Sequence, residues 1–366
     1  MSGEKAVIVD NGTYKLKCGF AGDQMPVSYR STVIYRAEKI ETSAVGTQSM
    51  FGREGLRKAT RPMKCGYVTD YDKMTELWQT AFDDQLQIDC MDRDLIMTEM
   101  SLTNKLNRQR ITEIMFETFG FGRFFLGNQS VFALMGTGRM TGIVINSGFE
   151  TTHIVPIIDG MSVTNSIQRE MLGGNHVTEY MMQLLRENGI YPRNYAEFRL
   201  YNMAKDEQVF FKEYAMQNSL RPSKQREEMN SSFNRGFYAQ KQLGDTMIRC
   251  PEILFNPNLN FLDVKPIHQM FVDSYNSLSE DLKETCKSHI VLAGANTMIG
   301  GFTKKMEIEV NKLMNCHFHF QAPKNRDLLA FKGASVFGTT DIENQWVTAD
   351  EFEEYGSAII TRKCLM

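Results

Sequence analysis

One strand-turn-strand unit, written twice, constrains this chain more than any other feature. The β-branched run Ala6-Val7-Ile8-Val9 leads into the polar turn Asp10-Asn11-Gly12-Thr13, and Lys15 to Phe20 returns as a second strand. Later, Gly142-Ile143-Val144-Ile145 leads into Asn146-Ser147-Gly148, and His153 to Ile157 returns. Laid on each other, Asp10 meets Asn146 and Gly12 meets Gly148 at one constant offset. The chain therefore reads as two related halves, each opening on a hairpin with a polar tip. Two such hairpins facing each other would make a cleft.

With 366 residues the chain has room for one large or two ordinary domains. Lys plus Arg is 41 against Asp plus Glu at 44, so its net charge of −3 gives no pull toward nucleic acid or an anionic membrane. No uninterrupted apolar run reaches the roughly 18 to 20 residues of a bilayer span. Met1 to Lys5 pass straight into an apolar strand, so no secretory signal is expected. The seven cysteines are odd in number and widely spread, which suits reduced core thiols better than a disulfide framework or a zinc site.

Apolar periodicity predicts a helix through Met74, Leu77, Trp78 and Ala81, capped by Asp70 or Asp72. Ile111, Ile114, Met115 and Phe119 predict a second. Val177, Tyr180, Met181, Leu184 and Leu185 predict a third, ending near Gly189 with Pro192 beyond. Further on, 288–292 reads as a buried strand, 294–301 as a glycine-bearing loop and 302–313 as a helix, a common ligand-facing order. The polar stretches Glu38–Gly55 and Ser223–Arg235 lack periodicity and read as surface loops.

No G-x-x-x-x-G-K-[ST] or H-E-x-x-H segment occurs, and His317 with His319 lacks a third ligand nearby in sequence. The first hairpin has the parts of a phosphate-metal site. Gly12 lets backbone N–H groups approach phosphate oxygens, Thr13 adds a hydroxyl, Lys17 adds positive charge, and Asp10 can hold water on Mg²⁺. Alone, that turn reads as an ordinary tight turn with an exposed Lys. Its repetition at Ser147-Gly148 reverses the preference.

These residues carry a family resemblance. V-I-V-D-N-G-T at the start, G-F-A-G-D at 19–23, M-F-E-T-F at 115–119, G-I-V-I-N-S-G at 142–148, R-C-P-E at 249–252, H-I-V-L-A-G-A-N-T-M at 289–298 and T-R-K-C near the end resemble actin, over nearly the whole chain. The resemblance implies a duplicated α/β actin-type fold: two lobes, each a mixed sheet with helices, around a cleft for ATP or ADP and a divalent cation, Mg²⁺ or Ca²⁺. It implies a small-lobe core from 1–31, 62–136 and 329–366 with an insertion at 32–61. The large-lobe core would come from 137–172 and 263–328, with an insertion at 173–262.

By the same resemblance, Asp10, Gly12, Thr13 and Lys17 match the first phosphate loop, and Ser147 and Gly148 the second. Asp10 and Asn146 would hold the metal through water, Gln129 would orient the attacking water, and His153 would lie near it. Gly174, the Lys205–Asp206 pair, Gly294, Ala295 and Met298 fall on the nucleotide side.

The departures fall on chemistry. Tyr14 stands where the family has a glycine, and Ala295 and Ile299 replace a Gly and a Tyr. Asn146 replaces an Asp, and Phe149 and Glu150 replace its Asp-Gly continuation. An amide can accept a hydrogen bond from a metal-bound water but cannot act as a base. Losing such a group typically costs about 10²–10⁴-fold. The expectation is retained nucleotide binding with very slow or absent hydrolysis.

Subunit contacts differ too. The Glu38–Phe51 stretch is shorter and more polar than the loop actin inserts into its neighbour, and a plug-like segment at 255–268 carries Asn258, Asn260, Asp263 and Lys265. The favoured role is a structural subunit of a cytoskeletal, ciliary or chromatin-associated protein complex, with conventional actin one candidate partner. It would lie in the cytoplasm and cytoskeleton, or in the nucleus, without direct contact to nucleic acid or membrane. The alternative is an active, filament-forming ATPase. A sugar kinase or chaperone ATPase is disfavoured because the actin-like segments reach the C-terminus.

Overall fold

The computed structural model describes residues 4–37, 43–45, 57–191, 245–340 and 342–365. Chain order begins with β1 (Val7–Asn11), β2 (Lys15–Phe20), β3 (Ser28–Ser31), β4 (Ile34–Ala37), β5 (Ser43–Val45), β6 (Arg57–Thr60), β7 (Met63–Lys64), β8 (Tyr67–Val68) and α1 (Tyr71–Thr80). It continues through β9 (Asp94–Glu99), α2 (Lys105–Glu113), β10 (Arg123–Asn128), α3 (Gln129–Met135), β11 (Gly142–Ser147), β12 (Thr152–Ile158), β13 (Met161–Ser162), β14 (Gln168–Glu170) and α4 (Gly174–Glu187). Then follow α5 (Thr246–Arg249), α6 (Ile267–Asn276), α7 (Glu280–Lys287), β15 (Ile290–Ala293), α8 (Phe302–Met314), β16 (Phe320–Gln321), α9 (Leu329–Phe337), β17 (Val347–Thr348), α10 (Ala349–Tyr355) and α11 (Ile360–Lys363).

Two compact units divide the chain: Met1–Val144, Val155–Ile167 and Leu328–Met366 form the first, and Ile145–Ile154 with Gln168–Asp327 the second. The first unit is built on a six-stranded sheet in the order β17-β10-β9-β1-β2-β3. Its central strands β1, β9 and β10 run parallel and are apolar through their middles, as strands covered on both faces must be. Helices α3 and α9 pack through Phe132 and Phe337, whose rings lie 5.5 Å apart. Phe82 meets Phe119 and Phe121 edge-on at 5.1 and 5.4 Å, beside no solvent. That packing fixes the ends of β9, β10 and α3, where the candidate site lies.

Both hairpins form, with their turns displaced from the sequence reading. Asp10 pairs with Lys17 and Asn11 with Leu16, so the ladder runs on and the first tip is 12–14. The second strand of that pair, Lys15–Phe20, is as expected. In the later hairpin β11 extends to Ser147 and β12 begins at Thr152, leaving 148–151 as the tip. Asp70 caps α1 by accepting from Lys73 N, as its position predicts. Beyond α1 and α2, wide π-type turns at Ala81–Leu86 and Ile114–Thr118 carry the apolar faces onward. Of the polar stretch at 38–55, Ser43–Val45 is a strand paired with β4; the rest, and Ser223–Arg235, lie outside the described residues.

In the second unit, β14 pairs with β12 so that His153 faces Arg169. Strand β15 lies beside β11, and β16 runs parallel to β15. Phe271, Phe318 and Phe320 form its aromatic centre, with centroids 5.4 and 5.2 Å from Phe271. Helix α4 buries the predicted Val177, Tyr180, Met181, Leu184 and Leu185 and ends before Gly189, whose φ is +75°. All seven cysteines are free thiols. Among the described residues, no helix is long and apolar enough to cross a membrane.

Candidate functional site

The first unit's site is assembled on one carboxylate. The β1–β2 register sets Asp10 directly opposite Lys17, and Lys17 Nζ donates to Asp10 Oδ2 at 2.6 Å. The parallel neighbour β9 delivers Thr98, whose hydroxyl donates to Asp10 Oδ1 at 2.7 Å and accepts from Asn11 N at 3.1 Å. Strand β10 ends at Asn128, which caps α3 by accepting from Ser130 N. The cap places Gln129 as the first residue of α3, and its Nε2 donates to Asp10 Oδ1 at 3.1 Å and Thr98 Oγ at 3.2 Å. Behind them, Trp78 Nε1 donates to Asn11 Oδ1 at 3.4 Å. Asp10 is 2% exposed.

The tip is braced by its own backbone and by its neighbours. A Cβ on Gly12 would stand 2.5 Å from the Lys15 carbonyl, so the tight turn itself requires glycine there. Gly12 N–H turns back to Asp10 O at 3.1 Å. Thr32 Oγ donates to Gly12 O at 2.7 Å, and Thr13 Oγ accepts from Gly66 N at 3.1 Å.

The second unit's site is a closed network. Ser147, fully buried, shares a hydrogen bond with Thr152 Oγ at 2.8 Å, and Thr152 Oγ donates to Leu172 O at 2.6 Å. Gly148 N donates to Thr151 O at 2.9 Å. The tip carbonyls serve the start of α4: Gly174 N donates to Gly148 O at 3.0 Å and Asn175 N to Phe149 O at 2.6 Å. Asn296 donates to both Ser147 Oγ and Gly148 O. Gly294, with φ +85°, lies so close that an added Cβ would stand 2.3 Å from Ser147 O and 2.8 Å from Asn146 Oδ1.

His153 is 3% exposed, with Nε2 3.2 Å from Thr151 Oγ and no hydrogen-bond partner on Nδ1. Burial first, and the Arg169 charge second, push its pKa down to about 3. It is a neutral imidazole at physiological pH. Ala295 and Met298 bound an exposed-edged turn after Gly294. Lys205 and Asp206 lie outside the described residues.

The predicted residues therefore gather in two sets: Asp10, Gly12, Thr13, Lys17 and Gln129 in the first unit, and Asn146, Ser147, Gly148, His153, Gly174, Gly294, Ala295 and Met298 in the second. Thr98 and Asn296 complete the two sets and were not singled out by sequence; no local motif announces a lone Thr in a strand or a lone Asn in a turn.

Whether the first set suits a divalent cation follows from acceptor capacity. A carboxylate accepts about four hydrogen bonds, two per oxygen. Oδ1 of Asp10 already takes two and Oδ2 takes one, from Lys17. One direction remains on Oδ2, enough for a water of a hydrated cation. The ammonium on that same oxygen opposes a bare ion, so the set fits Mg²⁺ or Ca²⁺ held through water. Among the described residues, no group of three or more His, Cys, Asp or Glu is placed to hold a metal directly.

A family model described as Actin matches residues 1–365. An "Actin-like protein" from Neurospora crassa is 30% identical over 375 residues, covering 97% of this chain and 97% of the relative.

Proposed function

Because the chain belongs to the actin family, we propose that it binds ATP or ADP with Mg²⁺ or Ca²⁺, turns the nucleotide over very slowly or not at all, and serves as a structural subunit of a protein assembly. Lys17, Thr13 and the two hairpin tips would receive the phosphates. Asp10 and Asn146 would hold the cation through its waters. When bound, the cation would supply positive charge against the phosphate oxygens.

The observation that carries slow turnover is the state of the acid and base groups. Asp10 is engaged on both oxygens, and the equivalent position on the second hairpin is the amide Asn146. His153, with a pKa of about 3, is too weak a base to take a proton from water near neutrality. Gln129 spends its Nε2 on Asp10 and Thr98, which leaves only its carbonyl to orient a water.

The subunit role would lie in a cytoskeletal, ciliary or chromatin-associated complex, in the cytoplasm or nucleus, and what supports a protein partner is the polar plug-like segment. It presents Phe261 at 91% exposure, flanked by Asn260 and Asp263, a side chain suited to burial against a protein partner. Purification from the native source, with identification of co-purifying chains and of nucleotide released by denaturation, tests the reading. The expected result is ATP or ADP, defined partner chains, phosphate release far below that of conventional actin, and no pelleting with Mg²⁺, salt and ATP. An empty protein would end the nucleotide reading. Pelleting and release at conventional actin's rate would establish the filament-forming ATPase, the alternative that the presence of Asp10, Lys17, Gln129 and His153 in the sequence suggests and their engagement in the structure argues against.

A further inference from the structure

The first hairpin has a charge problem that Lys17 does not solve. Lys17 is held 2.6 Å from Asp10 with both side chains largely buried, so the pair presents little net charge to a polyanion. Lys15 extends its ammonium over the Tyr29 ring, 4.1 Å from the centroid. A nucleoside polyphosphate brings several negative charges to such a tip and calls for a further cation there.

Tyr14 supplies the platform for one. The Arg61 guanidinium lies over the Tyr14 ring, 5.0 Å from its centroid. A guanidinium placed on an aromatic face keeps its N–H donors in its own plane, as the fork that matches phosphate oxygens in pairs. Both partners are held in place. Arg61 follows β6 and precedes Pro62, whose carbonyl accepts from Thr69 N at 2.8 Å and Asp70 N at 3.2 Å. The β7–β8 ribbon begins next, and its turn donates Gly66 N–H to Thr13 Oγ, the neighbour of Tyr14. Tyr14 O in turn accepts from Thr32 N at 2.9 Å, and its backbone lies outside the left-handed region. The aromatic ring at a position where a glycine was expected is therefore accommodated by the turn and carries a cation.

We propose that Arg61, set on Tyr14, is a phosphate-binding residue of the first hairpin, contacting the β- or γ-phosphate of the nucleotide; this rests on the nucleotide reading above. The test is calorimetric titration of the full chain with ATP, ADP and AMP in Mg²⁺ buffer, for wild type, Arg61→Ala, Arg61→Lys and Tyr14→Ala. Arg61→Ala lowers ATP and ADP affinity about tenfold or more, the effect of a lost charge-assisted hydrogen bond, and changes AMP affinity far less. It also flattens the salt dependence of ATP binding. Arg61→Lys, which keeps charge without the planar fork, falls between, and Tyr14→Ala follows Arg61→Ala in direction. Should Arg61→Ala fail to fold, Arg61→Lys and Tyr14→Ala carry the same comparison. Loss spread equally over the three nucleotides, or no loss, overturns the assignment while leaving nucleotide binding intact. A wild-type chain that binds none of them overturns both.

Discussion

Asn296 donates its side-chain amide to Gly148 O at 2.5 Å and to Ser147 Oγ at 3.1 Å, from a turn 148 residues further along the chain than Gly148. The second hairpin tip is thereby stitched to its surroundings by polar groups rather than by apolar packing. Asn296→Ala leaves buried acceptors with fewer donors, at a cost of about 1–3 kcal/mol. Urea unfolding checks it: the midpoint falls with the m-value unchanged. An unmoved midpoint would mean that Gly174 N and Thr152 hold the tip unaided.

The Asp10–Lys17 pair makes a second, asymmetric prediction. Lys17→Met strands a buried carboxylate that keeps only Thr98 and Gln129, and breaking a buried pair in this way typically costs about 3–5 kcal/mol. Asp10→Asn combined with Lys17→Met removes both charges and should recover most of that loss, since the burial cost goes with the pair. A double-mutant cycle on denaturant midpoints measures the coupling. Additive losses would contradict the pairing.

Two largely buried groups titrate with opposite sign. His153, held down to about 3 by burial, contributes stability that is present above the ordinary 6.5 and lost as pH falls toward 3. Burial holds His176 and His268 down as well, in the same direction. Glu99, pushed up to about 7 by burial that outweighs Arg108 Nε at 2.9 Å, contributes stability present below 4.5 and lost as pH rises through 7. Between 4.5 and 6.5 the slopes oppose each other. Glu99→Gln should therefore steepen the rise of stability with pH across that window, and His153→Asn should flatten or reverse it. Urea midpoints at several pH values read both.

How much of this was legible in sequence depended on range. Asp10 and Lys17 could be placed on the two strands of one hairpin because that unit is local, though their ion pair was not foreseen, and Asp70 could be placed as a cap because its partner is three residues away. The tips were read one or two residues too early, since Asp10, Asn11 and Ser147 look like turn residues and are held in strand by the ladder. The π-type turns after α1 and α2 left the apolar spacing almost untouched, so Ile114, Met115 and Phe119 read as one helix. Thr98 and Asn296 were invisible because strand pairing and turn packing bring them to the tips from 88 and 148 residues away. The Tyr14–Arg61 contact was hidden for the same reason: a cation and a ring far apart in sequence carry no local signal.

Thiol chemistry reports on the first tip directly. Cys18, Cys90, Cys250, Cys286 and Cys364 are buried, and burial raises the pKa of Cys18, Cys90, Cys286 and Cys364, which suppresses the reactive thiolate. Cys65 and Cys316 are partly exposed, so a thiol-specific reagent should modify these two first in the native protein and all seven only after denaturation. Cys65 sits at φ +50° in the β7–β8 turn, next to Gly66, whose N–H holds Thr13. Binding of nucleotide at the Thr13 tip should tighten that turn and slow labelling of Cys65, while Cys316, in the second unit and far from any predicted phosphate contact in sequence, keeps its rate. Mass spectrometry of time-quenched labelling, with and without Mg²⁺ and ATP, separates the two sites. Equal protection of both thiols, or none at Cys65, would mean that the first tip does not sense the ligand.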